Sequence, residues 1–370
     1  MKKVGVALGD RSYEILIGRG LIGSLLRWLQ SIEPAWAPSQ IAILTDDNVD
    51  PLYGDTVAKE FLEWAPVGRL VVPAGEQSKS WEVAGDLLER VAELGLHRHD
   101  LIVTLGGGVV SDLGGFLAST YLRGIRLIHV PTSLLGQVDA AIGGKTGVNL
   151  TAGKNLAGAF YQPRGVVCDV EVLLSLPKEE LISGLAEVVK YGLCFEPKLL
   201  DHFNPHGAPT HPGGESNRFH FQDPAVLEDL VFTSAKIKAR VVAGDETDRG
   251  DRIFLNYGHT FGHALEAVGD YKRFTHGSAI SVGMMFAANL ALQIGLLDPA
   301  GVTLHDKALS AAGLPVRAAF DPGQVKAAWG MDKKRETKQR WVLLESIGSP
   351  VIRDDIGETE IAAAMKAVLV

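Results

Sequence analysis

Short apolar runs punctuated by glycine and aspartate fill the first half of the chain, and long runs of helical period fill the second. Val4 to Leu8 and Tyr13 to Ile17, joined through Gly9 and Asp10, predict a hairpin. Four β-rich runs follow: Ile41 to Thr45, Leu70 to Pro73, Leu101 to Leu105 and Leu127 to Val130. Each meets Gly, Asp or Ser within a few residues, which predicts parallel βα units. The period between Trp81 and Leu94 predicts a crossover helix stopped at Gly95.

Beyond about residue 180 strand signals fade and the chain reads as mostly α-helical. Leu181, Ile182, Leu185, Val188 and Val189 make one apolar stripe that ends near Gly192. Asp223 and Pro224 supply an N-cap and a first-turn proline for a helix running towards Gly244. Between these two helices, Asn204 to Asp223 is rich in Pro, Gly and His and reads as a mobile loop. The expected division is an α/β domain over residues 1–180 and a helical domain over 181–370.

Charge and composition narrow the function. The formal net charge of -8 argues against bulk attraction to nucleic acid or an anionic membrane surface. Cys168 and Cys194 stand far apart, outside any CxxC spacing, and read as core thiols in a reducing cytoplasm. The apolar stretch Val4 to Leu8 is too short for a signal-peptide core, so secretion is not expected. Ala279 to Leu297 carries no charge and is long enough to span a bilayer, but its Ser281, Gly283, Asn289 and Gln293 fit a buried helix better.

Three clusters carry candidate chemistry. The run Leu101 to Leu105 leads into Gly106, Gly107 and Gly108 and then a helical pattern through Ser111 and Asp112. That order lets backbone N–H groups approach a pyrophosphate, although Ser111 takes the sixth place of GxGxxG, and a tight turn alone would also need the glycines. Asp46 and Asp47 suit ribose hydroxyls at a sheet edge, or capping of the next turn. Gly143 to Gly147 and Gly153 to Asn155 place Lys145, Lys154 and Asn155 among glycines, suited to holding a phosphate or carboxylate; P-loop spacing fails, because Asp139 stands where its first glycine belongs. Lastly, His259 and His263 are four apart, His276 precedes Gly277, and Glu187 lies three before Lys190. Two imidazoles and a carboxylate suit a catalytic metal; equally, Glu187 and Lys190 form an ordinary exposed i,i+3 ion pair, since both fall opposite the apolar stripe.

Taken in order, the motifs resemble the 3-dehydroquinate synthase family over nearly the whole chain. They are GEQSK (Gly75 to Lys79), GGGVVSDLGGF (Gly106 to Phe116), YLRG (Tyr121 to Gly124), PTSLLGQVDAAIGGKTGVN (Pro131 to Asn149), GKNLAGAFYQP (Gly153 to Pro163), AEVVKYG (Ala186 to Gly192), NYGHTFGHALE (Asn256 to Glu266), His276-Gly277 and MDKK (Met331 to Lys334). The resemblance implies an N-terminal Rossmann-like NAD domain and a C-terminal, mostly α-helical metal-binding domain in a cytoplasmic homodimer. It implies a carbon-oxygen lyase of the shikimate pathway to aromatic amino acids. That enzyme converts 3-deoxy-D-arabino-heptulosonate 7-phosphate to 3-dehydroquinate and phosphate through transient NAD oxidation, phosphate elimination, re-reduction, ring opening and intramolecular aldol closure.

By the same resemblance Glu187, His259 and His276 are the ligands of one divalent ion, zinc or cobalt, and His263 is a substrate-site residue. NAD-site positions are Asp46, Glu76, Lys79, Gly107, Gly108, Val109, Asp112, Thr132 and Ser133, with Lys145 and Lys154 near both nicotinamide and substrate. Asp139, Asn155, Lys190, Lys238, Arg252, Asn256 and Lys333 or Lys334 match positions lining the substrate pocket, and Arg123 matches an arginine contributed across a dimer interface. Asp248 departs from the pattern, which has glutamate there.

Overall fold

The computed structural model describes residues 1–203, 220–332 and 339–370. Its contacts divide it into two compact units, Met1–Leu176 with Phe221–Thr247, and Pro177–His220 with Asp248–Val370.

The first unit is built on a seven-stranded sheet. Its strands are β1 (Lys2–Val6), β2 (Tyr13–Gly18), β3 (Ile41–Asp46), β4 (Val67–Val72), β5 (Leu101–Gly106), β6 (Arg126–Pro131) and β9 (Gly165–Asp169), in the order β1-β2-β9-β6-β5-β3-β4. Only the expected hairpin of β1 and β2 is antiparallel; the other neighbours run parallel. Every residue of β3, β5 and β9 is buried. Covered on both faces, such strands read as unbroken apolar runs, which is why the predicted β3 and β5 fall within a residue or two of their observed ends. Chain progression reverses between β3 and β5, so the crevice at their carboxyl ends is the switch point where ligands bind in open α/β sheets.

Helices α1 (Leu25–Ile32), α2 (Asp55–Leu62), α3 (Trp81–Glu93) and α4 (Gly108–Thr120) belong to this unit. α3 is the predicted crossover, capped at Ser80, whose hydroxyl accepts from the Val83 N–H. α4 seats closely on its neighbours: a Cβ on Gly114 would overlap Thr104 of β5, and one on Gly115 would overlap Thr146. Thr146 lies in a hairpin absent from the sequence reading, formed by β7 (Lys145–Leu150) and β8 (Gly153–Phe160). Gly147 and Gly158 face each other there at a separation no side chain could occupy.

α5 (Lys178–Cys194) opens the second unit, whereas α6 (Pro224–Gly244) packs on β1 and β2 of the first. α6 starts as expected, with Asp223 accepting from Ala225 N and Pro224 in the first turn. Of the expected loop Asn204 to Asp223, residues 204–219 lie outside the described residues, and His220–Gln222 form a short 3-10 turn.

α7 (His259–Val268), α8 (His276–Gln293), α9 (Pro299–Ala311), α10 (Pro322–Asp332) and α11 (Glu358–Val368) complete the second unit, together with one antiparallel pair, β10 (Trp341–Ser346) and β11 (Ser349–Arg353). That pair is the one strand element in a unit that is mostly α-helical, as expected, among the described residues. α8 is the buried helix, and no helix among the described residues is long and apolar enough to cross a membrane. Glycines set its crossings: a Cβ on Gly277 would strike the Ser183 backbone of α5, and one on Gly283 the Gly258 carbonyl at the start of α7. Cys168 and Cys194 are buried free thiols, as read from their spacing, and burial pushes both upward in pKa.

His305 on α9 is wholly buried; its Nδ1–H donates to the Gly301 carbonyl (2.7 Å) and its Nε2 accepts from the Tyr257 hydroxyl (2.8 Å). Burial pulls it down to about 4. A histidine depressed in the folded state stays neutral there while the unfolded chain takes up a proton below about pH 6.5, so its stabilisation is full above that pH and declines towards pH 4. His305→Gln should be less stable than the parent at pH 7. The gap should shrink by about 2 kcal/mol between pH 7 and pH 5 in urea unfolding. A gap independent of pH would show that His305 is not the buried neutral group.

Candidate active site

In the first unit the family-matched positions gather at the carboxyl ends of adjacent parallel strands. Asp46 ends β3, Glu76 and Lys79 follow β4, Gly107 and Gly108 follow β5, and Thr132 and Ser133 follow β6. Gly107 caps α4 without a side-chain partner for the first-turn N–H groups, and a Cβ there would press to 3.4 Å from Ser133 Oγ. Bare N–H groups at a helix start beside a switch point suit a phosphate. Val109 is half-buried in the first turn of that helix.

Asp46 Oδ1 accepts from Asn48 N and Val49 N (3.0 Å each), and Asp47 Oδ1 accepts from Ala74 N (2.8 Å). One oxygen of each therefore caps a turn, and burial raises the Asp46 pKa despite those bonds. Lys79, 5% exposed, sets its ammonium directly on Asp112 Oδ2. Burial nevertheless holds Asp112 above its ordinary value, opposed by Lys79. Glu76 Oε1 accepts from Asn149 Nδ2 (2.8 Å) and lies 3.5 Å from Lys154 Nζ.

Two predicted substrate residues are bonded to each other: Lys238 Nζ donates to Asp139 Oδ1 (2.6 Å) and to its carbonyl (2.7 Å). Lys145 and Asn155 are exposed on the hairpin, and Arg123 is exposed at the end of α4 with a left-handed φ of 64°. Lys333 and Lys334 lie outside the described residues.

The second unit brings Glu187 of α5, His259 at the first residue of α7 and His276 at the first residue of α8 together, with one ligand atom from each within 4.8 Å of the others. Both Nε2 atoms lie 3.4 Å from Glu187 Oε1. The opposite ring nitrogens are engaged behind: His259 Nδ1 donates to the Tyr257 carbonyl (3.2 Å), and His276 Nδ1 lies 3.6 Å from Glu266 Oε1. Both imidazoles are thus turned with Nε2 inward, the arrangement of histidines that ligate a metal with a partner behind them. This chemistry fits one divalent ion held by two nitrogens and a carboxylate.

The reading of Glu187 and Lys190 as an exposed pair is corrected by their burial. Glu187 is 0% and Lys190 1% exposed, with the ammonium directly on Glu187 Oε2, because α8 covers the face opposite the stripe. Burial alone would raise Glu187, but Lys190 and the His259 and His276 contacts hold it well below the carboxylate range. Burial and Lys190 depress His259; His276 is pushed up to about 9, because the Glu187 and Glu266 carboxylates outweigh its desolvation. His263 is exposed, its ring edge-on to His259 at 5.3 Å, outside the three-ligand group. Arg252 is 1% exposed, Asn256 precedes α7, and Asp248 adopts a left-handed φ of 60°.

Residues 69–183 match the family model for the 3-dehydroquinate synthase N-terminal domain and residues 184–335 that for its C-terminal domain. The chain belongs to the 3-dehydroquinate synthase family. It is 40% identical to the 3-dehydroquinate synthase of Thermobifida fusca (strain YX), over 99% of this chain and 96% of that protein. Among solved structures it resembles 2-deoxy-scyllo-inosose synthase complexed with carbaglucose-6-phosphate, NAD+ and Co2+, at TM-score 0.85 and 28% identity, covering all of both chains. It equally resembles 2-epi-5-epi-valiolone synthase from Streptomyces hygroscopicus subsp. jinggangensis 5008 with NAD+ and Zn2+ bound, at TM-score 0.85 and 26% identity over 98% of each. The family is one of enzymes, and the α/β fold with a helical C-terminal part is shared with both cyclases.

Glu266 was not singled out from sequence, yet a signal existed: it follows His259 by seven and His263 by three, on the same helical face. Glu266 lies behind His276, at the place from which a carboxylate orients a metal-binding imidazole. Glu266→Gln should weaken Co2+ binding by about 10- to 100-fold in equilibrium dialysis while the circular dichroism spectrum is retained. Unchanged affinity would remove Glu266 from the site.

Proposed function

We propose that this chain is a 3-dehydroquinate synthase. It converts 3-deoxy-D-arabino-heptulosonate 7-phosphate to 3-dehydroquinate and inorganic phosphate, using NAD and one divalent ion, zinc or cobalt. The observation that carries the reading is the cluster of buried Glu187 with half-buried His259 and His276, found in a chain that belongs to this family. The choice among sugar-phosphate cyclases is supported by identity: 40% to a 3-dehydroquinate synthase, against 28% and 26% to the two cyclases of other products.

Bound NAD supplies a reversible hydride acceptor, and the metal ion a Lewis acid for the hydroxyl being oxidised. This chain's residues grip and align the substrate. Lys145, Asn155, Asn256, His263 and Arg123 hold the phosphate, the last across a homodimer interface. Lys238 and Arg252 hold the carboxylate through charge-assisted hydrogen bonds, Lys190 and Asp139 hold hydroxyls, and Lys333 or Lys334 completes the pocket. In the elimination, the bond from carbon to the phosphate oxygen breaks as the neighbouring carbon loses its proton. A phosphate oxygen takes that proton, so the residues position the leaving group and need not supply a base. Asp46, Glu76, Lys79, Asp112 and the first turn of α4, from Gly107 to Val109, hold the dinucleotide, with Thr132 and Ser133 beside it.

Anaerobic incubation with substrate, divalent metal and catalytic NAD should release phosphate and carbocycle in equal amounts with no net NADH. NADH accumulating on simple polyols without phosphate release would instead indicate a dehydrogenase, and turnover of a hexose 6-phosphate a cyclitol-forming cyclase. Lys145→Ala should lower kcat/KM by about 10- to 100-fold, the loss of a hydrogen bond to a charged group. An unchanged value would exclude its phosphate role.

A further inference from the structure

The β7–β8 hairpin pairs Val148 with Ala157 and then Leu150 with Gly153, with the register shifting between the two pairs. Between those pairs Asn149 alone on β7 stands opposite Lys154, Asn155 and Leu156 on β8, so the bulge lies on β8 and Asn149 takes no part in the β7–β8 pairing. Its N–H and both ends of its side-chain amide find partners in segments already singled out. Its N–H donates to the Lys79 carbonyl (2.8 Å). Its Nδ2 donates to Glu76 Oε1 (2.8 Å), and its Oδ1 accepts from Asn155 N (2.9 Å). Asn155 sits at a left-handed φ of 56°, a conformation asparagine tolerates, and the Asn149 amide accepts the N–H that this turn presents. Lys154, the residue before, reaches the same Glu76 oxygen at 3.5 Å.

We propose that Asn149 is a positioning residue that couples NAD binding at Glu76 and Lys79 to phosphate binding at Asn155. This rests on the functional reading given above. An amide is needed because one end must donate to a carboxylate while the other accepts from a backbone N–H. Aspartate keeps the acceptor towards Asn155 but loses the donor and sets a second negative charge against Glu76; alanine loses both arms.

Calorimetric titrations of the full-length protein with NAD, and with the phosphonate analogue of the phosphorylated keto acid, each alone and with the other saturating, give the coupling factor directly, and linkage requires it to be reciprocal. Asn149→Ala is expected to reduce that factor by about tenfold, the worth of one or two hydrogen bonds. Asn149→Asp is expected to weaken NAD binding by a similar factor while leaving the analogue's affinity in the absence of NAD at the parent value. Coupling preserved in Asn149→Ala, or both variants weakening both ligands alike as general loosening would, overturns the proposal. Glu76→Ala and Asn155→Ala separate the two levels. If neither alters its own ligand's affinity, the assignment of the two sites fails; if both do and Asn149→Ala keeps the coupling, only the link fails.

Discussion

The buried carboxylate of Glu187 is the constraint around which the second unit is arranged. An isolated charge in an apolar core costs several kcal/mol, so such a group persists only where partners compensate it. Here Lys190, three residues along the same helix, supplies a full positive charge, and His259 and His276 turn nitrogens towards the other oxygen. Each partner stands at a position fixed by backbone: the imidazoles occupy the first residues of α7 and α8. The α5–α8 crossing that brings them in requires Gly277, whose N–H also donates to Ser183 Oγ (3.0 Å). The site and the helix packing are therefore one problem, solved by the same glycines.

In the first unit the organising device is the carboxyl edge of the parallel sheet. Strands buried on both faces hold their ends rigidly, and the loops after β3, β4, β5 and β6 inherit that order. Gly114 and Gly115 let α4 sit against both the sheet and the hairpin, which keeps the hairpin's lysines beside the same edge. The Lys79–Asp112 and Lys238–Asp139 pairs then distribute charge locally in a chain whose overall balance is acidic.

Much of this was legible in sequence where one physical signal dominated. The central strands announce themselves as apolar runs, and the α6 start by Asp223 and Pro224. The β7–β8 hairpin stayed hidden because its glycines, needed for close approach of two backbones, look like loop residues. Periodicity also failed to show that α6 packs with the first unit, since a helical stripe says which face is buried and not against what. Spacing left Glu187 open between a ligand and a surface ion pair, because i,i+3 geometry is the same in both; burial by α8 distinguishes them. The ordered motifs pointed to the family to which the chain belongs, and the spacing of Glu266 from His259 and His263 offered a signal for it, while Asn149 emerges only once Glu76 and Lys79, distant in sequence, are set beside it.

The claim that an anionic Glu187 in the core completes a metal site is tested most directly by titrating Co2+ into metal-free parent and Glu187→Gln proteins, following the visible absorption band. The account predicts one equivalent bound by the parent with an intense band of low coordination number, and no such band for Glu187→Gln although it remains folded by circular dichroism. The same band at the same affinity in Glu187→Gln would contradict it.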